Sequence, residues 1–499
     1  MGNSNVAYLV IAKVFAGLTM VLTVPIYLHF LGLEAVGFIN FMTMIQALLI
    51  VVDLGFSPVV TRFLSQANDD EQARAFKRNA LFTLEVTQYV IVGFFGVLLT
   101  LLLPFLLFSW SQSNLTSTAP TPSALLSLLA GFSALLFLPL GLLVAALSAQ
   151  QRNKILANYL LATSITRLLV VMVALSFYPT LITFFMMQIT ISLVALFSLR
   201  RIVWSSMPQT ESTFFSISSV LPHMRFGAVM TGIAMLGVFL AQADRLVLSV
   251  QLSLKDFAHY SLAASLAAGV FVIITAFFST YFSRFSAQWH QGRFQEQTIE
   301  ESLQAAQVLG LILLTIACFF FFFAEPILWV WLGDREIARQ AYPILKVLML
   351  ANVCNGLMNI PYALQLAAGR AAQVLKINII GAVIVLPCFW FASRYYGALG
   401  AALTWLALNV GFIIFWPRLV FLPLLGISSR RWYWQAIVLP MLVAFPLSGV
   451  LFIMFSEQTS KLHTFLFLIF LLSFQGAASA LLLPKTRLLC LAMLRRFRF

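Results

Sequence analysis

The sequence predicts an all-α protein that crosses a membrane many times, with about fourteen transmembrane helices. Three observations lead to this fold class: 61% of the 499 residues are hydrophobic, only 9% are charged, and the hydrophobic residues form long segments. Soluble domains carry roughly a quarter charged residues, so this composition excludes a soluble globular protein. A helix of about twenty apolar residues crosses the hydrocarbon core of a bilayer, which is the length that recurs along this chain.

Fourteen apolar segments are long enough, or nearly long enough, to span a bilayer. In chain order they cover residues 7–29, 36–58, 79–108, 123–148, 155–177, 180–200, 225–250, 257–282, 303–330, 343–367, 374–396, 397–422, 432–455 and 463–484. The least distinct boundaries lie at Tyr178-Pro179 and between Arg394 and Gly397. Merging either pair of segments would change the count.

Lysines and arginines are concentrated in alternate loops. With a cytoplasmic amino terminus, 21 of the 30 basic residues fall in cytoplasmic loops or the tail, five in the opposite loops and four within segments. Because cytoplasmic loops carry the excess of basic residues, both termini are predicted to be cytoplasmic. Topology and anionic lipid thus explain the net charge of +14, and no nucleic-acid partner is needed.

Two six-helix lobes account for most of the chain. The linker 202–224, rich in Ser, Thr and Pro, is predicted to join an N-lobe at 1–201 to a C-lobe at 225–422. Two additional helices at 432–484 and a basic cytoplasmic tail at 485–499 follow the lobes.

The lobes also resemble each other in sequence. The turn at 31–38 has a counterpart at 252–259, and the turn at 149–152 has one at 367–370. Six segments separate the copies, so both copies run in the same direction. Repeats of this kind in transporters usually place the substrate site at the lobe interface, near the middle of the membrane.

Motifs for covalent chemistry are missing from the sequence. It contains no Walker loop, no HExxH, no GxSxG and no acidic cluster suited to a metal within the spans. The four cysteines lack CxxC spacing and are interpreted as core or lipid-facing residues: Cys318, Cys354, Cys388 and Cys490. The chain is therefore predicted not to be an enzyme and to bind neither a cofactor nor a metal.

Four basic side chains fall within the predicted spans: Lys13, Arg167, Arg245 and Lys346. Arg167 is nearest to a helix centre, too far from either end to reach water by snorkelling. A buried guanidinium needs an anion, supplied either by a phosphate ligand in a cationic cavity or by a carboxylate of a neighbouring helix. Lys13 and Arg245 lie on equivalent helices of the repeat. Lys346, near the external end of its helix, is either a cavity residue or a snorkelling one.

Four acidic residues in the predicted spans are expected to have different roles. Asp53, near the cytoplasmic end of its helix, is expected to cap a helix, to pair with Lys13 or to bind a coupling proton. Asp244 and Arg245 point roughly 100° apart on a helix, so one is expected to line the cavity and the other to brace the lobe. Glu85 and Glu325 are interpreted as interfacial residues.

Three asparagines of the tenth segment share one helix face: Asn352, Asn355 and Asn359. Amides offer hydrogen-bond donors and acceptors without charge, which suits sugar hydroxyls. They suit hydrogen bonds between helices in lipid equally well, so both interpretations stay open.

The opening of the chain resembles the Wzx-type polysaccharide flippases of the multidrug/oligosaccharidyl-lipid/polysaccharide exporter superfamily. The resemblance is carried by Pro25-x-Tyr27-Leu28, by Leu31-Gly32-x-Glu34-x-x-Gly37 and by Asp53-Leu54-Gly55 before a loop arginine. It continues in Ala243-Asp244-Arg245-Leu246 with Tyr260 and in Ala368-Gly369-Arg370, and covers roughly residues 5–425. Phe38 and Ala258 depart from the usual pattern, and fourteen segments exceed the twelve usual for Wzx.

The resemblance implies transport of an undecaprenyl-diphosphate-linked oligosaccharide from the cytoplasmic to the periplasmic leaflet of a bacterial inner membrane by alternating access. Lys13, Arg167, Arg245 and Lys346 would then bind the diphosphate, and the three asparagines would bind the glycan. A monomer is expected, with a polysaccharide polymerase or a chain-length protein as candidate partners. Three alternatives remain open: a lipid II flippase, a cation-coupled multidrug exporter, and a membrane polymerase or ligase. The multidrug exporter would need a mid-helix carboxylate, and the enzyme a long external loop.

Overall fold

A computed structural model describes residues 2–49, 53, 55–65, 70–114, 124–207, 213–289, 294–455 and 460–482. Within these ranges every regular element is a helix, which confirms the predicted all-α membrane fold class. The predicted basic tail at 485–499 lies outside the described residues.

The first of two compact units covers Met1–Ala258. Its helices in chain order are α1 Gly2–Leu31, α2 Leu33–Leu48, α3 Phe56–Leu64, α4 Glu71–Asn114, α5 Ala124–Leu135, α6 Phe137–Ala149, α7 Asn153–Phe177, α8 Leu181–Ser205 and α9 Ile217–Gln251. One of its apolar cores is built from buried side chains of α1, α3, α4, α6, α7, α8 and α9.

The second unit covers His259–Phe499, and α10 enters it from the first. Its helices are α10 Leu254–Ala267, α11 Phe271–Gln288, α12 Glu296–Leu332, α13 Arg335–Leu357, α14 Asn359–Ala367, α15 Ala371–Leu425, α16 Arg430–Tyr433, α17 Leu439–Ile453 and α18 Lys461–Leu482. A 3₁₀ turn at Ala268–Val270 links α10 to α11, and a π-helical turn at Trp434–Val438 links α16 to α17.

Eleven helical stretches in the described part of the chain have the length and apolar composition needed to cross a membrane. One of them, Ala371–Leu425, is 55 residues long and covers the eleventh and twelfth predicted segments. The 35-residue helix α9, which corresponds to the seventh predicted segment, is not among the eleven. The multi-pass architecture is therefore established, whereas the count of fourteen stays a prediction.

Both of the least distinct predicted boundaries coincide with breaks in helical geometry. Helix α7 ends at Phe177, and the Thr180 side chain caps α8 by accepting a hydrogen bond from the Thr183 amide at 3.2 Å. In α15 the break is Gly397, whose φ of 57° and ψ of −141° are open in practice only to glycine. The chain therefore changes direction at Gly397 without a loop.

The second predicted segment is interrupted in the structure. Helix α2 ends at Leu48, and α3 begins at Phe56 after Gly55, which has a φ of 84°. Gly55 packs backbone to backbone against Gly227 of α9: a Cβ added to Gly227 would lie 2.7 Å from the Gly55 carbonyl oxygen.

Helix α2 makes a second close approach. A Cβ on Gly37 would lie 2.7 Å from the carbonyl oxygen of Leu254, the first residue of α10, which follows α9 directly. Together with the contact between Gly55 and Gly227, this means that α2 and α3 run antiparallel to α9. Helix α9 thus packs within the first unit, against α2, α3 and α4. The lobe boundary at 202–224 stays a prediction.

Candidate functional site

Arg167 lies in the middle of α7, as the sequence predicts. Its Nε is buried and has no hydrogen-bond partner, and no carboxylate among the described residues forms an ion pair with it. The phenol groups of Tyr27 and Tyr159 lie within electrostatic range of the guanidinium. Of the two hypotheses for Arg167, the internal ion pair therefore finds no support in the described residues. A phenol is neutral at ordinary pH, so the guanidinium charge has no counter-ion in the part of the chain that the structure describes.

Lys13 lies on a helix that packs directly against the helix of Arg167. Helices α1 and α7 are in extensive contact, and the Tyr8 hydroxyl donates a hydrogen bond of 2.8 Å to Asn158 Oδ1 across their interface. Ala12 is fully buried, whereas the neighbouring Lys13 is exposed. Lys13 has no carboxylate partner among the described residues, so two uncompensated cations lie on adjacent helices.

Arg245 lies in the same unit, on α9. Its Nη1 is 3.5 Å from Gln242 Oε1, one turn earlier, and its backbone amide donates to Asp244 Oδ1 at 2.7 Å. Asp244 thus contacts the backbone beside Arg245, and it has further interactions elsewhere. The sequence predicts that one of these two residues braces the lobe and the other lines the cavity, and both roles stay predictions.

Lys346 belongs to the second unit and has an aromatic environment. Its Nζ lies 5.3 Å from the ring centre of Phe321 and 5.0 Å from that of Tyr342. Cation–π contacts of this kind stabilise an ammonium group without a carboxylate. The structure therefore provides Lys346 with partners other than phosphate, and its phosphate-binding role stays a prediction.

The three asparagines of α13 and α14 take part in hydrogen bonds within the second unit. Asn352 is buried, donates to the Ala267 carbonyl at 3.1 Å and accepts from Trp405 Nε1 at 3.0 Å. Asn355 donates to Asn409 Oδ1 at 2.9 Å, and Asn359 donates to the Asn355 carbonyl at 3.3 Å. The bonds of Asn352 and Asn355 join packed helices, which is the second of the two predicted roles, whereas that of Asn359 is local to its own turn. The glycan-binding role stays a prediction that these contacts do not support.

Asp53 is buried and bonded to polar groups of its own unit. Its carboxylate accepts from the Ser57 amide and hydroxyl, both at 3.1 Å, and from Gln88 Nε2 at 3.2 Å. The bond to the Ser57 amide satisfies a free donor in the first turn of α3. No ion pair with Lys13 is present among the described residues, so the observed contacts are those of a helix cap.

Glu85 is buried within the first unit, and its interfacial depth in the membrane stays a prediction. It is 2% exposed, and its carboxylate accepts from Arg200 Nε at 2.6 Å, Trp204 Nε1 at 2.8 Å and the Tyr89 hydroxyl at 2.8 Å. The guanidinium of Arg200 also lies over the Trp204 ring. Helices α4 and α8 are thereby joined by a buried carboxylate with three donors. This cluster is visible only in the folded protein, because Glu85 and its partners Arg200 and Trp204 are more than 100 positions apart in the chain.

The comparisons with known proteins agree with the membrane architecture. Residues 3–289, more than half of the chain, match the family described as "Polysaccharide biosynthesis protein", and residues 231–391 match the MatE family. The chain is 26% identical over 180 residues to a putative O-antigen transporter of Shigella flexneri. That match covers 36% of this chain and 42% of the relative, so less than half of the relative's length is spanned.

Two solved structures show the same fold. The lipid II flippase MurJ in an inward closed conformation has a TM-score of 0.72 at 14% identity, covering 94% of this chain and 98% of that one. An inward-facing multidrug resistance MATE transporter has a TM-score of 0.55 at 12% identity, covering 91% and 96%. These relatives are named transporters or flippases, in agreement with the prediction that the chain is not an enzyme. The chain therefore belongs to the family described as "Polysaccharide biosynthesis protein", and it is a multi-pass membrane protein.

Proposed function

We propose that this protein moves a polyprenyl-diphosphate-linked oligosaccharide, a precursor of a surface polysaccharide, from the cytoplasmic to the periplasmic leaflet of a bacterial inner membrane. The observation that carries the proposal is Arg167, a guanidinium in the middle of a spanning helix with a buried, unpartnered Nε and no ion pair to a carboxylate of the described ranges. Such a group is costly in a membrane unless an anion reaches it. A diphosphate supplies about two negative charges and oxygen acceptors that match the guanidinium donors.

Lys13 and Arg245 would complete the diphosphate site. Lys13 is on the helix adjacent to that of Arg167, and Arg245 is on another helix of the same unit. Neither has a carboxylate partner among the described residues, so both have charge available for a phosphate. The polyprenyl tail would stay in the lipid while the lobes alternate, as the sequence repeat suggests.

Lipid II is the second candidate substrate, because it carries the same polyprenyl diphosphate as a surface-polysaccharide precursor. The family match and the O-antigen transporter relative support the polysaccharide precursor, whereas the similarity to MurJ concerns the fold. A multidrug exporter is less well supported, because the first helix carries Lys13 where such a protein would need a carboxylate.

Translocation by the purified full-length protein in proteoliposomes tests the proposal. Three lipids would be compared: a polyprenyl-diphosphate-linked tetrasaccharide, lipid II and a polyprenyl monophosphate sugar. We expect the first to become accessible to an external glycosidase fastest, and the monophosphate to stay inside. Equal rates for all three, or rates equal to those of protein-free vesicles, would contradict the proposal.

A further inference from the structure

Helix α11 exposes a row of hydroxyl groups in a stretch that is otherwise apolar enough to cross the membrane. The exposed residues Thr275, Ser279, Ser283 and Ser286 follow one another at intervals of four, four and three positions. At about 100° per residue, these positions fall on one narrow face of the helix. We call these four residues the hydroxyl row.

The hydroxyl row keeps hydrogen-bonding capacity for a ligand. Thr275 and Ser279 donate to carbonyl oxygens of their own helix, at 2.8 and 3.1 Å, and their oxygens can still accept. Ser283 and Ser286 have no hydrogen-bond partner among the described residues. A polar ligand or water therefore finds both donors and acceptors along this face.

Another helix of the same unit has an exposed face that is largely apolar. Between residues 379 and 391 of α15 the exposed side chains include Ile380, Val383, Ile384 and Phe391, at 51 to 67% exposure, and no exposed residue of this stretch carries a hydroxyl group. Lipid hydrocarbon offers no partner to a hydroxyl group, whereas it suits this apolar face. The two exposed faces therefore suit different surroundings, and that of α11 suits water or a polar ligand.

Aromatic rings border the hydroxyl row. Phe278 and Phe282 are stacked with their centres 5.6 Å apart and their planes 4° apart. Tyr362 of α14 extends the stack, 5.3 Å from Phe278 and inclined by 30°. All three rings are half-buried, so each is held in place while part of it stays exposed.

A sugar ring matches both the aromatic rings and the hydroxyl groups of this surface. Its C–H face is apolar and packs against an aromatic ring, and its rim of hydroxyls needs neutral donors and acceptors. Of the three asparagines that the sequence suggested for this purpose, Asn352 and Asn355 are engaged in bonds to other helices, and Asn359 donates to a carbonyl of the preceding turn. We infer that the hydroxyl row and the stack Phe278, Phe282 and Tyr362 form a carbohydrate-binding surface, over which the oligosaccharide passes during transport. This inference rests on the proposed function and assigns its glycan site to α11.

Cysteine accessibility tests the surroundings of this face. In a full-length variant in which Cys318, Cys354, Cys388 and Cys490 are replaced, Ser279→Cys would be compared with Val383→Cys on α15. A membrane-impermeant maleimide reacts with the thiolate form of cysteine, which forms in contact with water and is suppressed in hydrocarbon. We therefore expect Ser279→Cys to react at least about tenfold faster than Val383→Cys. Equal, slow labelling of both variants would overturn the inference.

Ligand protection tests the chemistry of the surface. A polyprenyl-diphosphate-linked tetrasaccharide should slow the labelling of Ser279→Cys, whereas polyprenyl diphosphate without sugar should not. Equal protection by both lipids, or by neither while both still bind the protein, would overturn the inference and leave the proposed function intact. If the unsubstituted protein neither binds nor translocates either lipid, the proposed function fails as well.

Discussion

The backbone of Gly55 lies directly against the backbone of Gly227, so that α3 and α9 touch without any intervening side chain. A Cβ on Gly227 would lie 2.7 Å from the Gly55 carbonyl oxygen and 2.7 Å from Val59 Cγ2. A side chain at either glycine would therefore force the two helices apart. Gly55 additionally has a φ of 84°, which disfavours any residue with a Cβ.

Alanine at either glycine should therefore destabilise the first unit. We expect Gly227→Ala to lower the free energy of unfolding by about 1–3 kcal/mol through overpacking, and Gly55→Ala to lower it more, because backbone strain adds to the contact. Thermal unfolding of the purified protein in detergent would measure both. Gly232→Ala on the same helix is the matched control, since a Cβ there meets nothing within 4 Å. A control variant as unstable as Gly227→Ala would show that helix α9 is sensitive to alanine for another reason.

The Glu85 carboxylate should contribute more to stability than an exposed ion pair. Glu85→Ala leaves Trp204 and Tyr89 without their acceptor in a buried setting, and we expect a loss of about 2–4 kcal/mol in the free energy of unfolding. The Glu325→Ala variant breaks the exposed pair with Arg339 at 3.3 Å, for which about 0–1 kcal/mol is expected. Chemical or thermal unfolding of the two variants, measured under the same conditions, would show which loses more stability. Equal losses would mean that Glu85 is not the structural anchor described here.

Asn352 should matter for packing and Asn359 much less. Asn352→Ala removes the acceptor of Trp405 Nε1 and the donor to the Ala267 carbonyl, and we expect a loss of about 1–3 kcal/mol. Asn359 donates only to a carbonyl of the preceding turn, so Asn359→Ala should cost about 0.5 kcal/mol or less. Unfolding midpoints of the two purified variants test this difference. A larger loss for Asn359→Ala would contradict the packing role of Asn352.

Much of the architecture follows from the sequence because a bilayer restricts it so strongly. The length of the apolar segments predicts spanning helices, and the break between α7 and α8 follows from Pro179, which disfavours a helical conformation at Tyr178 before it. The boundary at Gly397 is indistinct in the sequence because the break lies in the φ and ψ angles of this one residue. No polar loop separates the two segments there.

The candidate site was predictable only in part. An arginine far from both helix ends is conspicuous in a sequence, so Arg167 could be singled out before its surroundings were known. The contacts of Glu85, Asn352 and Asp53 join segments distant in the chain, and a single sequence does not show which helix faces pack together. The hydroxyl row of α11 has helical spacing that is visible in the sequence. Its exposure, and the stack with Tyr362, are visible only in the folded unit.

Charge removal in the translocation assay tests the central claim most directly. The variant with Lys13→Gln, Arg167→Gln and Arg245→Gln would be compared with Arg394→Gln, an exposed arginine of α15, in proteoliposomes containing the polyprenyl-diphosphate-linked tetrasaccharide. Each lost charge-assisted hydrogen bond is worth about 1.5–3 kcal/mol, so the rate should fall at least about a hundredfold in the triple variant and stay unchanged in Arg394→Gln. An undiminished rate in a correctly folded triple variant would contradict the claim that these cations bind the diphosphate.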